Sequence, residues 1–251
     1  MASEVTPESE FRKIADGGAS REDPLEVWRC GGGTAMVQEL ARARGPLGEV
    51  VLRRRRGLLE VIGNGTFLIS EENEDSSRAL VSAARHLLPR RPLDVLIGGL
   101  GLGYAAEEAL RLPHVRSVVV AELEPAVVDW FRAFSSERAA RVERDRRLRI
   151  VVGDVLDQLR TGVRAWDLVC LDTDNGPGWL VHQANAALYE VPGIRTVRAA
   201  LREGGVAVFW SAERYPAFEA SLAAVFRSVL PRSASDVVDG RRHEYTMYVV
   251  R

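Results

Sequence analysis

The chain has 251 residues, 46% of them hydrophobic, enough for one large core or a core with a small appended unit. Lys and Arg number 34 against 35 Asp and Glu, and the net charge of -1 argues against a general nucleic-acid or membrane-surface binder. Cysteine occurs only at Cys30 and Cys170, too little for a disulfide framework or a metal-ligand cluster; with no signal-peptide pattern and no apolar run of membrane-spanning length, a cytoplasmic protein is expected.

Residues 1–45 mix Glu, Ser, Gly and Pro and read as a flexible segment, with one helix, Ala35 to Arg44, at its end. From Gly48 the pattern changes to short strands separated by glycine turns: Gly48 to Arg53, Gly57 to Ile62 and Thr66 to Ser70. This predicts a small antiparallel β-domain with its linking helix over 46–90. Arg53 to Arg56 read as a solvated strand end, with an anion-binding role the less favoured alternative. The acids Glu71, Glu72, Glu74 and Asp75 fit a helix start better than a lid over a cationic substrate, and the helix runs from Ser76 to Leu88.

The remainder, 91–251, alternates strand and helix. Strands are predicted at 94–98, 118–122, 148–152, 167–171 and 205–211. Helices are predicted at 103–112, 125–134, 154–161, about 184–201 with a break at Pro192-Gly193, and 216–229. A last strand, 244–250, enters antiparallel at or near an edge after turn material around Ser233 to Asp236. The fold class is α/β, a mostly parallel sheet with helices on both faces.

The core is organised around Asp94 to Leu110, where an apolar strand stops at Gly98 and Gly99, Gly101 and Gly103 precede a helix. Glycines let backbone come close to a ligand, and the helix start offers free N–H groups. The spacing is not the dinucleotide fingerprint, because Tyr104 stands where its last glycine belongs, so an NAD-dependent dehydrogenase is disfavoured. Glu122 ends the next strand about 20 residues on, where a carboxylate holds ribose hydroxyls. Ligands of such sheets sit beyond the carboxyl ends of the strands. Those ends carry Gly98 to Gly103, Glu122, Gly153-Asp154, Asp172-Thr-Asp-Asn175 and Trp210-Ser211.

At these residues the chain, from about Gly48 onward, resembles the spermidine synthase-like branch of the class I S-adenosylmethionine-dependent transferases, a Rossmann-like methyltransferase fold with a seven-stranded sheet. The resemblance rests on the glycine loop, Glu122-Leu-Glu-Pro125, Gly153-Asp154, Trp166 to Asp172, Asn175-Gly-Pro177, Leu188-Tyr189 and Leu201 to Gly205. It implies cofactor contacts from Gly98, Gly99, Gly101, Gly103 and Leu123. Glu122 would bind the ribose, Asp154 the adenine amine, and Val155 would pack on the ring. It places Asp172 by the sulfonium and the attacking nucleophile, with Asp174 beside it. The small β-domain would form a homodimer interface, as it does in that family. On the acceptor side, Asn175, Trp179 and Tyr189 are candidate substrate contacts. His182 is a candidate base, although loop packing also accounts for the aromatic residues and the histidine.

Departures from the polyamine-forming members are specific. Their glycine loop carries an Asp, in a GGGDG pattern, that pairs with the amino group of decarboxylated S-adenosylmethionine and repels a carboxylate; here that position is Gly101. Their Tyr-His-Glu motif aligns with Ser77-Arg78-Ala79, their Gln with Leu68, and the second acid of their Asp-Ser-Ser-Asp run is shifted by one. Intact S-adenosylmethionine is therefore the expected donor, with Arg78 a candidate partner for its carboxylate. Methyl or 3-amino-3-carboxypropyl transfer to a small-molecule nucleophile follows. Aminopropyl transfer from decarboxylated S-adenosylmethionine and non-catalytic nucleoside binding remain the alternatives.

Overall fold

The computed structural model describes residues 25–30 and 33–251. Two sheets organise them. The first is antiparallel, in the order β1 (Leu25–Cys30), β2 (Gly33–Gly45), β3 (Gly48–Arg55), β4 (Leu58–Gly63), β5 (Thr66–Ser70). Residues 1–24, part of the expected flexible segment, lie outside the described residues. The helix expected over Ala35 to Arg44 is overturned. Its Ala, Leu, Gln, Glu and Arg content favours a helix locally, but residues 37–45 pair with β3 and tertiary pairing wins.

A 3-10 turn at Glu71–Asn73 leads into α1 (Glu74–Ser82). The acids therefore stand at a helix start. Glu71 also accepts the N–H of Leu59 at 2.8 Å, and Glu72 that of Asp239 at 3.2 Å, so they fasten neighbouring turns as well.

The second sheet holds β6 (Leu93–Gly98), β7 (Val115–Glu122), β8 (Leu148–Val152), β9 (Trp166–Leu171), β10 (Leu201–Ser211), β11 (Val229–Val238) and β12 (Arg241–Val250). Their order is β11-β12-β10-β9-β6-β7-β8, parallel from β10 to β8 and antiparallel at the two pairs involving β12. Between them lie α2 (Tyr104–Leu110), α3 (Pro125–Phe134), α4 (Ser136–Glu143), α5 (Val155–Thr161), α6 (Ala186–Tyr189), α7 (Val191–Ala200) and α8 (Pro216–Ala223). Several elements differ from expectation: α1 ends at Ser82 rather than Leu88, and α4 has no counterpart among the expected helices. The segment around Ser233 to Asp236 is strand, not turn, and β11 takes the edge outside β12, where its Pro231 and small polar residues are tolerated. The helix expected over 216–229 ends at Ala223 to make room for it.

Period-two alternation divides the core. Val95, Ile97, Val118, Val120, Leu168 and Cys170 face one side with α1, α2 and the first sheet's Leu52, Leu59 and Val61. Leu96, Val119, Ala121, Val169 and Leu171 face the other, against α5, α7 and an edge-to-face cluster of Tyr189, Phe209, Phe218 and Tyr248. Cys170 is fully buried, and burial pushes its thiol up, so it behaves as a small apolar residue.

At the far end of the sheet from the strand ends, Asp94 accepts bonds from Arg116, from Ser117 at 2.6 Å and from Arg202 at 2.7 Å. These donors hold its carboxyl well below the usual range despite burial. Asp94→Ala leaves Arg202 and Arg116 without this partner and is expected to cost about 3 kcal/mol, read by urea denaturation. Because the folded-state value is depressed, this stabilisation is present at neutral pH and lost as pH falls through the acid range. The variant should therefore lose its stability deficit toward low pH.

Candidate active site

Strand-end residues of the second sheet and the facing surface of the first enclose a cavity of about 740 Å³. The first sheet forms its roof: Val51, Arg53 and Arg55 alternate along one face of β3 and look into it. The floor comes from β6, β7, β9 and β10.

The glycine loop is built by contact rather than by preference alone. Gly99 has φ +95, and a Cβ there would collide with the Asp172 carbonyl. Gly101 has φ +51 and sits under Ile69, whose Cδ1 would be 2.9 Å from a Cβ. Both line the cavity. Gly98 and Gly103 do not line it. A Cβ on Gly98 would lie 2.9 Å from Val155, and one on Gly103 would strike Phe131 of α3, so these two serve packing beneath the loop.

Glu122 is buried and accepts the Leu100 N–H and the Glu124 N–H, each at 2.8 Å, on different oxygens. A carboxylate has about four lone-pair positions, so acceptor capacity remains for two hydroxyls. Burial raises its pKa; the loop N–H groups oppose the shift. Asp154 caps α5 through the Leu156 N–H at 2.8 Å and lines the cavity with Leu123, Val155 and Gly153. Glycine cradle, a carboxylate with spare acceptor positions and a second acid beside an apolar shelf together fit a nucleoside.

Asp172 directly follows β9, is half-buried and lines the cavity. Burial, and secondarily the like charge of Glu122, push it up to about 7. Among the described residues no side chain or N–H donates to its carboxylate within hydrogen-bonding distance. Asp174 differs sharply. It accepts four bonds, from the N–H groups of Asn175, Val181 and His182 at 2.6–3.1 Å and from Asn185 Nδ2 at 3.0 Å. Its geometry makes it the post around which residues 174–185 are wound, rather than a free base.

Trp179 and Asn175 line the cavity. His182 and Tyr189 do not. His182 gives its backbone N–H to Asp174, and Tyr189 packs edge-on against Phe218 at 5.4 Å, burial pushing its hydroxyl up. Their expected roles as base and acceptor contact lack the needed placement. Arg78 is also taken: it bonds Glu74 and Glu107 at 2.8 and 2.6 Å and lies over Tyr104, outside the cavity.

The solvated strand end expected at 53–56 is half wrong. Arg54 and Arg56 are exposed, but Arg53 and Arg55 clamp the buried Glu60 at 2.7 and 2.6 Å. Arg55 also bonds Asp239 at 2.5 Å, joining the roof to the β11–β12 turn. Two aromatic walls escaped prediction, Phe67 on β5 and Tyr245 on β12, while Trp210 at the end of β10 lines the cavity as its strand-end position implied. Among the described residues no group of three or more His, Cys, Asp or Glu side chains is set to hold a metal ion, and no helix is long and apolar enough to cross a membrane.

Strand order and the glycine loop after β6 define a Rossmann-like fold of the class I methyltransferase type. Within that class the chain belongs to the spermine/spermidine synthase domain family, whose model matches residues 76–227. It is 32% identical over 118 residues to putrescine N-methyltransferase 2 of Nicotiana attenuata, covering 46% of this chain and 30% of that protein. Putrescine N-methyltransferase 1 of Nicotiana tabacum is also 32% identical, over 46% of this chain and 29% of that protein. The match thus spans under a third of those relatives. A crystal structure of a spermidine synthase bound to the transition-state analogue AdoDATO superposes with TM-score 0.70 at 16% identity, over 87% of this chain and 76% of that one. Spermidine synthase from Thermotoga maritima gives 0.67, also at 16% identity, over 87% and 75%.

Proposed function

We propose that this protein transfers a methyl group, or a 3-amino-3-carboxypropyl group, from intact S-adenosylmethionine to a small-molecule amine. The carrying observation is Gly101, where the loop meets Ile69 and no acid guards against a carboxylate. Named relatives that methylate putrescine agree with it. S-adenosylmethionine, when bound, supplies a carbon activated by the adjacent positive sulfonium.

The chain's residues supply the rest. Glu122 and Asp154 hold ribose and adenine over the Val155 shelf. Asp172 faces the acceptor nitrogen, which attacks only when neutral. With its pKa near 7, Asp172 takes or orients the departing proton at neutral pH. As the N–C bond forms and the C–S bond breaks, its negative charge is also well placed beside the sulfonium. Residues 46–90, with β2, provide the roof, and 91–251 the donor site and the chemistry. A cytoplasmic setting and a homodimer belong to the same proposal; light scattering reads the second.

Calorimetric titration with S-adenosylmethionine and with its decarboxylated form tests the donor. Tighter binding of the intact form supports the reading. Preference for the decarboxylated form would sink it and favour aminopropyl transfer, the reading that family membership and the spermidine synthase likeness support. Gly101→Asp is expected to weaken intact S-adenosylmethionine about tenfold by placing like charge beside its carboxylate. The decarboxylated form should lose much less.

A further inference from the structure

We infer that Arg138, on α4, is a positioning residue for the donor: it holds the Gly99 to Gly103 loop in the shape that receives S-adenosylmethionine. This rests on the donor reading above. Most of the loop is fixed from β7 and along its own turn. The Ala121 and Leu100 carbonyls accept the Gly99 and Gly103 N–H groups, each at 2.9 Å, and Glu122 accepts that of Leu100 at 2.8 Å. Leu102 is different. It stands between two glycines of positive φ, Gly101 at +51 and Gly103 at +84. Among the described residues no backbone N–H reaches its carbonyl. Arg138 does, donating from Nη1 at 3.1 Å.

The guanidinium has few other partners. Its carbon lies 3.8 Å from the centre of the Tyr104 ring, a cation held on an aromatic face. Glu107, its acidic neighbour, is taken by Arg78 at 2.6 Å and Arg141 at 3.1 Å, and Arg138 Nε stays 4.0 Å away from it. That Nε is buried and has no hydrogen-bond partner among the described residues. A buried donor left unpaired is costly. Bracing α4 against α2 alone would be served better by an apolar side chain. The bond to the Leu102 carbonyl gives the arginine its reason. Arg138 does not line the cavity, so it acts on the donor through the loop backbone. Releasing that carbonyl frees Gly101 and Gly103, which have no Cβ to restrict them. The loop can then leave the conformation in which it faces the nucleoside beside Glu122.

The test compares variants of the full chain by calorimetric titration with S-adenosylmethionine, thermal melting and hydrogen exchange read by mass spectrometry. Arg138→Met is expected to bind S-adenosylmethionine about tenfold more weakly, the worth of one charge-assisted hydrogen bond. It should also exchange faster over residues 99–103. Arg138→Gln, neutral and shorter, takes its place should the methionine variant not fold. Arg138→Lys returns a cation to Tyr104 and a donor to Leu102, and should recover most of the affinity and the protection. Arg78→Met strips the cation 5.5 Å from the Tyr104 ring centre and a partner from Glu107, but touches no loop carbonyl. It should melt lower and still bind the donor as the parent does. Parent-like binding by Arg138→Met overturns the inference, as does an equal loss in Arg78→Met or no recovery in Arg138→Lys. A parent chain that fails to bind S-adenosylmethionine sinks the donor reading and this inference with it. A parent that binds, with variants that break this pattern, removes the inference alone.

Discussion

Asp172→Asn is expected to lower kcat by about a thousandfold, within the range that a positioned acid or base supplies, while S-adenosylmethionine still binds. The asparagine is nearly isosteric, and the Asp172 backbone, which packs on Gly99 and donates its N–H to the Gly98 carbonyl at 2.9 Å, is untouched. Only the charge and the proton acceptor go. Single-turnover transfer with radiolabelled donor reads the loss, and calorimetry reads the retained binding. Undiminished kcat would mean that Asp172 neither takes nor orients the proton, and that the transfer rests on other groups.

The same residue sets the pH response. Its carboxyl is raised to about 7 from an ordinary value of 3.8, chiefly by burial. As a base it works ionised, so activity should rise with pH through about 7, reflecting this group. Stability moves the other way. Between the unfolded and folded values the native chain binds more protons than the unfolded one, so stability falls as pH rises through that window. Above about 7 the ionised carboxyl burdens the fold fully. Asp172→Asn should therefore melt higher than the parent at pH 8 and show little advantage in mild acid. A sulfonium nearby favours the ionised form, so S-adenosylmethionine should shrink the difference in alkaline solution.

The sequence carried the second sheet well because its strands are apolar runs of about five residues ending at glycines or acids, and each end is a position the ligand must see. Glu122, Asp154 and Asp172 stand out for that reason, and all three line the cavity. The roof was far less legible. Residues 37–45 have helix-forming side chains and become strand only because β3 lies ready to pair, which no local pattern records. β11 hid for the opposite reason: its Pro231 and serines look like turn material, but an edge strand tolerates them while β12 supplies ten paired partners. Asp174 and Asp172 are indistinguishable in sequence. The backbone of residues 175–182 closes on Asp174 alone, and four donors turn one of two neighbouring acids into scaffold. Arg53 and Arg55 also could not be sorted from Arg54 and Arg56 until strand alternation put them inward, against Glu60.

Glu122 should show the largest effect on donor binding. Glu122→Ala is expected to weaken S-adenosylmethionine about a hundredfold, the worth of two charge-assisted hydrogen bonds at roughly 1.5 kcal/mol each. The loss has two sources that a second variant separates. Glu122 offers the ribose its remaining lone pairs, and it also pins the glycine loop by accepting the Leu100 N–H. Glu122→Gln keeps a carbonyl oxygen for one of these partners and removes the charge. It should bind better than the alanine variant if loop order dominates, and equally badly if the ribose needs the full carboxylate. Both changes delete the like charge that helps raise Asp172. The residual activity of either should therefore rise at a lower pH than in the parent. An unshifted profile would mean that burial alone sets the base, and that the two acids on the cavity floor act independently.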